Sequence, residues 1–245
     1  MCESRSISEW DWEHGFDLTP INAYSNFAYF IVGNYFIAST FGHGSRDPST
    51  FVNQFSKYPI WPLLLGSCFV TIGYASYSYH ASYSNFGIFM DYSNIVMTLG
   101  FLTHYLVVSM FLDGPGGEAL DDSISPQLAV GGLIANLLIA YSAMYIFGLT
   151  AVYMMMALYS SVALYAFFKM PSEMKDTHYL EYAMGAGVLA LIGFELSPDF
   201  PYCDEDSLFQ FHAMWHLMSA VAMLFMGLYL YEGHGIDFSD DYFEV

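Results

Sequence analysis

Histidines inside apolar stretches are the residues of this chain best suited to chemistry. His212 and His216 stand four residues apart in the run HAMWHLMS, residues 212–219. On a helix this spacing puts both rings on one face, and two histidines one turn apart commonly hold zinc. His80, in a second apolar stretch, is the candidate third ligand. Three protein ligands with an open fourth position are typical of a catalytic zinc site. The plainer alternative is a set of core histidines that hydrogen-bond to neighbouring carbonyls.

Asp91 and Ser76 are the candidate catalytic residues beside these ligands. A carboxylate near a metal can take the proton from an attacking water, which makes Asp91 a candidate general base. The alternative is an acidic residue stabilised by the positive end of a helix. Ser76 precedes His80 by one helical turn on the same face. Its hydroxyl could donate to a developing oxyanion, or it could simply pack between helices.

Two further ionisable residues lie in apolar stretches. A helix would separate His104 from Asp91 by about 20 Å, so we assign His104 to packing. Glu195 lies at the end of the sixth segment, on the same side of the membrane as the candidate ligands. It either supports the site or simply faces the membrane interface.

The composition places these residues in a membrane protein. Only 12% of the 245 residues are charged, about half the share of a typical soluble domain. Residues 123–168 include no Asp, Glu, Lys, Arg or His. As helix that stretch is about 70 Å long against a bilayer core of about 30 Å, so it must cross twice. A soluble enzyme, a disordered chain and a fibrous repeat are therefore excluded.

The net charge of the chain disfavours some kinds of binding partner. It is −19, which disfavours both nucleic acid and a polybasic anchor to anionic lipid, because each needs clustered Lys and Arg. We expect no nucleic-acid partner, and we expect the bilayer itself to surround most of the chain. The three cysteines lack the spacing of a zinc ribbon.

Seven apolar segments are each long enough to span a bilayer. They lie near residues 20–42, 59–82, 87–112, 124–147, 149–169, 178–197 and 207–230. Backbone polar groups in lipid must be satisfied internally, and these runs are too long for barrel strands, so we expect helices. The predicted fold is an all-α seven-transmembrane helix bundle over residues 20–231. An acidic N-terminal segment, 1–19, precedes it, and an acidic tail, 232–245, follows it.

The order of the segments brings the candidate residues to one depth. His80 lies near the end of the second helix, and Asp91 lies near the start of the third, across a short turn at 84–87. His212 and His216 lie at the start of the seventh helix. All of these helix ends are on the side of the membrane that carries the N-terminus. The topology therefore predicts an intramembrane metal site near that side.

These residues resemble the motifs of the alkaline ceramidase family. The similar pattern consists of five polar residues in three apolar segments: Ser76, His80, Asp91, His212 and His216. The run 212–219 is close to the last-helix signature of the family, and the run NAYSN, residues 22–26, is similar to its N-terminal motif. The family belongs to a superfamily of seven-helix membrane hydrolases, which also includes adiponectin/progestin-type receptors and GPI-lipid remodelases.

The resemblance implies an activity and a role for each of these residues. His80, His212 and His216 would bind zinc. Asp91 would orient or deprotonate a water, and Ser76 would stabilise the amide oxygen. The substrate would be the membrane lipid ceramide, which would be cleaved to a sphingoid base and a fatty acid.

The resemblance also implies a calcium site in the N-terminal segment. The family builds that site from acidic residues and an asparagine, which Asp11, Glu13 and Asn22 match here. Oxygen ligands from an acidic segment suit a hard cation such as Ca²⁺. Thr19 stands where the family has a further acidic residue, so a merely solvated acidic terminus is the alternative.

Three functions are alternatives at this point. The first is a zinc-dependent intramembrane amidase that hydrolyses ceramide, an enzyme of sphingolipid metabolism. The second is a non-enzymatic receptor, or a subunit of a larger membrane complex, that keeps zinc for its structure. The third is a lipid-ester hydrolase of the same superfamily. Asp91 and Ser76 are not needed to hold zinc, so their presence favours an enzyme.

The basic residues predict how the chain lies in the membrane. Four of them follow the first, third and fifth helices, namely Arg46, Lys57, Lys169 and Lys175. The opposite side has Arg5. Positive charge accumulates on the cytoplasmic side, so the N-terminus and the metal site should be lumenal or extracellular. The receptors of the superfamily have their metal on the cytoplasmic side, which argues against that alternative.

Epitope tags at the two termini test this orientation. In intact cells and sealed organelles, we expect a C-terminal tag to be accessible only from the cytoplasmic side, because seven crossings place the two termini on opposite sides. A C-terminal tag that antibodies reach only from the lumenal or extracellular side would contradict the charge argument.

Overall fold

The computed structural model describes residues 20–41, 54–82, 84–112, 125–148, 178–196 and 210–232, together with part of 150–165. Eight helices have bounds within these residues: α1 Pro20–Ser25, α2 Phe27–Phe41, α3 Gln54–Lys57, α4 Ile60–Ser82, α5 Asn85–Leu112, α6 Ser125–Phe147, α7 Tyr179–Leu196 and α8 Phe211–Glu232. The residues described between 150 and 165 are also helical, and no described residue is in a β-strand. The predicted all-α class is confirmed.

Five of these helices are long and apolar enough to cross a membrane, namely α4, α5, α6, α7 and α8. By length and composition they are the helices of a multi-pass membrane protein. They agree with the second, third, fourth, sixth and seventh predicted segments to within a few residues.

The first predicted segment is divided into two helices. α1 ends at Ser25, Asn26 adopts a turn, and α2 begins at Phe27. With 6 and 15 residues, neither piece alone has the length of a membrane span. The fifth predicted segment, 149–169, falls largely outside the described residues. Seven crossings therefore stay a prediction.

Several other predicted features lie outside the described residues. They are the acidic segment 1–19, nearly all of the acidic tail, and four of the five basic residues, namely Arg5, Arg46, Lys169 and Lys175. The domain bounds and the orientation in the membrane therefore stay predictions as well.

α4 is the central helix of the described bundle. It packs against α1, α2, α3, α5, α6 and α8, and it buries large side chains such as Trp61 and Phe69. The outer helices α6 and α7 instead bury mainly small residues, as membrane helices do where their backbones approach. They expose apolar side chains such as Leu138 and Leu191, which suits a surface in contact with lipid.

Glycines bring two pairs of helices to close contact. A Cβ atom at Gly33 of α2 would lie 2.7 Å from the Gly66 carbonyl oxygen of α4, and one at Gly66 would lie 2.6 Å from the Gly33 carbonyl oxygen. A Cβ atom at Gly193 of α7 would lie 2.8 Å from the carbonyl oxygen of Phe211, where α8 begins. Small residues are what allows helices to approach this closely. The contacts fix α2 and α7 against the two helices that carry the histidines.

The turn between α4 and α5 is shorter than expected. We predicted a turn at 84–87, but α5 already begins at Asn85. The reason is that Ser84 caps the helix, because its Oγ accepts a hydrogen bond from the Gly87 backbone N–H at 2.9 Å. A Cβ atom at Gly87 would also lie 2.9 Å from Cα of Tyr79. The first turn of α5 therefore lies directly against the end of α4.

Substitution of Gly66 tests the contact between α2 and α4. Gly66→Ala should lower the stability of the purified protein in detergent by about 1–3 kcal/mol, because the new Cβ atom overlaps a backbone oxygen. Gly185→Ala is the matched control, since the space around Gly185 on α7 is open. Alanine is the better helix former by about 1 kcal/mol, so the melting temperatures of the two variants should shift in opposite directions. Equal melting temperatures would contradict the close crossing.

Candidate metal centre

The three predicted histidines come together at one end of the bundle. His80 lies in the last turn of α4, while His212 and His216 lie in the first two turns of α8. The end of one helix thus meets the start of the other, as the topology predicted. The candidate ligand atoms of the three rings all lie within 4.8 Å of one another.

The rings meet inside the protein and not at its surface. Nε2 of His212 lies 3.1 Å from Nε2 of His80. The centroids of the rings are 4.7 Å apart for His80 and His212, 4.9 Å for His80 and His216, and 4.5 Å for His212 and His216. The exposed fractions of His80, His212 and His216 are 0%, 8% and 2%. The three rings are therefore shielded from bulk solvent.

This arrangement fits a tetrahedral metal ion. Zinc binds imidazole nitrogen at about 2.0–2.1 Å, so two nitrogen ligands of a tetrahedron lie about 3.3 Å apart. The distance of 3.1 Å between His80 and His212 is close to that value. Without a metal, the same distance allows a hydrogen bond between the two rings. Three imidazoles suit zinc, copper, nickel and iron, so the cluster can hold a metal whose identity the donor set alone does not select.

The second nitrogen of His216 is held by the N-terminal helices. Nδ1 lies 2.8 Å from Oγ of Ser25 and 3.1 Å from the carbonyl oxygen of Asn22. The Tyr29 ring centroid lies 6.3 Å from that of His216, and the Tyr29 hydroxyl hydrogen-bonds to Ser219, about one turn further along α8. These contacts tie α1 and α2 to the first turns of α8.

The sequence predicted no role for Ser25 or Tyr29. Residues 22–26 were recognisable as a motif, and the predicted role of Asn22 was that of a calcium ligand. The spacing of Asn22, Ser25 and Asn26 could have indicated a role for this segment, because it places three polar residues on one face of an otherwise apolar helix. Nothing in that spacing points to His216 as the partner.

Ser76 lies beside the cluster, as its position on α4 predicted. Its Oγ is 3.5 Å from Nε2 of His216, and its side chain is buried. The hydroxyl therefore contacts a different ring nitrogen from the one that Asn22 and Ser25 contact. This places Ser76 within reach of a group held between the three rings.

Asp91 is buried in the second turn of α5. It lies within electrostatic range of the Tyr29 hydroxyl, which itself packs near His216. The group of atoms within 4.8 Å consists of the three histidines and does not include this carboxylate. A general base acts on water and is not itself a ligand, so this position suits the predicted role, which stays a prediction.

The remaining ionisable candidates lie away from the cluster. Nε2 of His104 donates to the Leu128 carbonyl oxygen at 2.9 Å, and its ring lies over Gly132 of α6, where a Cβ atom would overlap it. Packing is therefore the role that the structure shows for His104. Glu195 is exposed on α7, which favours the interface over a role in the site.

Of the three predicted calcium ligands, the structure describes only Asn22. Asn22 is fully buried, and no described residue hydrogen-bonds to its side-chain amide. Asp11 and Glu13 lie outside the described residues. The calcium site therefore stays a prediction.

The fold and the site together define a class of protein. The chain is a multi-pass α-helical membrane protein with a buried three-histidine cluster at one end of its described bundle. Comparisons with protein-family models, with curated proteins and with solved structures found no match to the chain. The resemblance to the alkaline ceramidases accordingly rests on the quoted residues and stays a prediction.

Removal of one ring tests whether the cluster binds metal. We expect the purified protein to hold about one zinc ion per chain, and His80→Ala, His212→Ala or His216→Ala to lose most of it, because two remaining ligands are too few. Plasma mass spectrometry measures the metal. His104→Gln is the control, since it removes a partly buried histidine elsewhere while keeping a hydrogen-bond donor. A His212→Ala protein that kept its full zinc content would show that the metal binds elsewhere.

Proposed function

We propose that this chain is a zinc-dependent intramembrane hydrolase that cleaves the amide bond of ceramide. The observation that carries the proposal is a buried group of three histidines with a serine hydroxyl 3.5 Å from one of the nitrogens. A structural zinc site normally has four protein ligands, whereas a catalytic site has three. The choice of ceramide comes from the resemblance of the motifs.

Each polar residue has a distinct part in this reaction. Zinc held by three imidazoles would polarise an amide carbonyl and lower the pKa of water to about 7. Asp91 accepts the proton that water releases as its oxygen attacks the carbonyl carbon, and it returns the proton to the leaving nitrogen. Ser76 donates a hydrogen bond to the carbonyl oxygen while negative charge develops there. The C–N bond breaks. The hydroxyl group of water becomes part of the fatty acid, and its other hydrogen is transferred to the nitrogen of the sphingoid amine.

The depth of the site supports a lipid as the substrate. His80 lies in the last turn of α4, and His212 is the second residue of α8, so the cluster lies near the ends of membrane-spanning helices. The amide of a ceramide lies at the polar end of its two hydrocarbon chains, which is the same level of the bilayer. Apolar side chains cover the outer faces of α6 and α7, so the chains of a substrate can stay in lipid while its amide reaches the cluster.

Substitutions at Asp91 and Ser76 separate metal binding from catalysis. Asp91→Asn should keep the zinc and lose most of the turnover of ceramide, because an amide side chain cannot accept the proton. Ser76→Ala should also keep the zinc and slow turnover by roughly 10²–10³-fold, the usual loss for one oxyanion donor. Metal content and release of sphingoid base are measured on the same samples.

Matched controls exist for both substitutions. Glu195→Gln removes an exposed carboxylate from α7, and Ser78→Ala removes a partly exposed hydroxyl from the same helix as Ser76. Both variants should retain zinc and turnover. If Asp91→Asn cleaved ceramide as fast as the unaltered protein, the proposed proton transfer would be wrong.

A mixed lipid substrate decides between the amidase and its alternatives. Purified protein is incubated with ceramides, lipid esters and GPI lipids, and the products are identified by mass spectrometry. Release of a sphingoid base supports the proposal, whereas cleavage of an ester alone supports the lipid-ester hydrolase. A zinc-loaded protein that cleaves none of them supports the receptor or the subunit of a larger membrane complex.

A further inference from the structure

We infer that the break between α1 and α2 orients His216, with Asn22 and Ser25 as its positioning residues. The inference rests on the proposed metal site, because it concerns which nitrogen of His216 faces the metal. It adds a function for a local irregularity of the fold that the proposed reaction does not use.

The break frees one backbone carbonyl group. In a continuous helix the Asn22 carbonyl would accept the N–H of Asn26, four residues later. Here that N–H donates instead to the carbonyl of Ala23 at 3.2 Å, and the helix resumes with a bond from the Tyr29 N–H to the Asn26 carbonyl at 3.1 Å. The Asn22 carbonyl is thus released from its ordinary helical partner.

The released carbonyl takes three other donors. The Asn26 side-chain amide donates to it at 2.8 Å, and so does the Ser25 hydroxyl at 2.8 Å. Nδ1 of His216 approaches it at 3.1 Å. The first two bonds hold the broken turn in shape, and the third connects that turn to α8.

The direction of these bonds assigns the tautomer of His216. A carbonyl oxygen can only accept, so the hydrogen at this contact belongs to Nδ1. The Ser25 hydroxyl hydrogen is already given to Asn22, so Ser25 Oγ, at 2.8 Å from Nδ1, is a second acceptor for the same N–H. A neutral imidazole carries one such hydrogen, and Nε2 is therefore left with a free lone pair.

That lone pair is the one a metal requires. Ligand histidines typically donate their other N–H to a carbonyl or a carboxylate, which fixes the tautomer and orients the ring. The same tautomer lets Ser76 donate to Nε2 across 3.5 Å. When the lone pair is engaged by a metal, the Ser76 proton becomes available to another acceptor, which is what the proposed reaction needs.

The tautomer can be observed directly in the metal-free protein. Full-length protein with ¹⁵N-labelled histidine is studied by nuclear magnetic resonance in detergent, with His216→Gln used to assign the signals of His216. We expect a proton on Nδ1 and none on Nε2. A proton on Nε2 of His216 would overturn the inference, whatever the catalytic activity of the protein.

Substitution of Ser25 tests the effect on metal binding. Zinc affinity is measured by competition with a chelator. Ser25→Ala should weaken it by about 10-fold, within the range of roughly 10–100-fold typical for groups that orient a ligand, and Ser25→Thr should restore it because the hydroxyl returns. Ser109→Ala is the matched control: this buried serine donates to the Leu106 carbonyl three residues earlier, as Ser25 does to Asn22, but lies about 27 Å along α5 from Asp91.

The outcomes separate this inference from the proposed function. A Ser25→Ala protein that loses thermal stability without losing zinc affinity would mean that Ser25 is merely structural, and the inference would fail. A protein that binds zinc as described and hydrolyses no lipid would refute the proposed function alone. If the unaltered chain binds no zinc, the proposed function fails, and the tautomer measurement still decides whether Asn22 and Ser25 orient His216.

Discussion

Three imidazole rings are buried together where apolar helices meet, and each of their nitrogens needs a hydrogen-bond or metal partner. A buried polar group without one costs about 1–3 kcal/mol, and the surrounding lipid can supply none. The pairing of His80 with His212 and the contacts of His216 with Asn22, Ser25 and Ser76 help to meet this need. The positions of the helices around the cluster follow from those contacts.

The helices reach these positions through small residues and local caps. Gly33 and Gly66 let α2 lie against α4, and Gly193 lets α7 lie against the start of α8. Ser84 caps the N-terminus of α5, so that this helix begins at Asn85, directly after the short connection from α4. None of these residues has a chemical role in the proposed reaction. They matter because a shift of one element by an ångström would separate ring nitrogens that now lie 3.1 Å apart.

The histidine cluster could be predicted from the spacing of its residues and from their positions along the apolar segments. The separation of His212 and His216, and the placement of His80 at the opposite end of an apolar segment, were sufficient to bring three rings together. The break at Asn26 was not predictable, because the sequence there has neither Gly nor Pro to mark it, and the bonds that compensate for it come partly from His216, 190 residues away. The role of Ser25 was hidden for the same reason. The predicted start of α5 was wrong because Ser84 caps the helix and is not part of a longer turn.

The histidine cluster lies at the ends of the helices that carry it and not halfway along them. A bilayer has two leaflets, and polar groups at this level belong to only one of them. A lipid whose reactive group lies in the opposite leaflet would be some 30 Å away, and it would first have to be flipped across the membrane. The rate at which such lipids turn over would then depend on transbilayer movement and not on the chemistry of the site. Cleavage by the proposed hydrolase would also remove lipid from a single leaflet, and would thus change the asymmetry of the membrane as well as its composition.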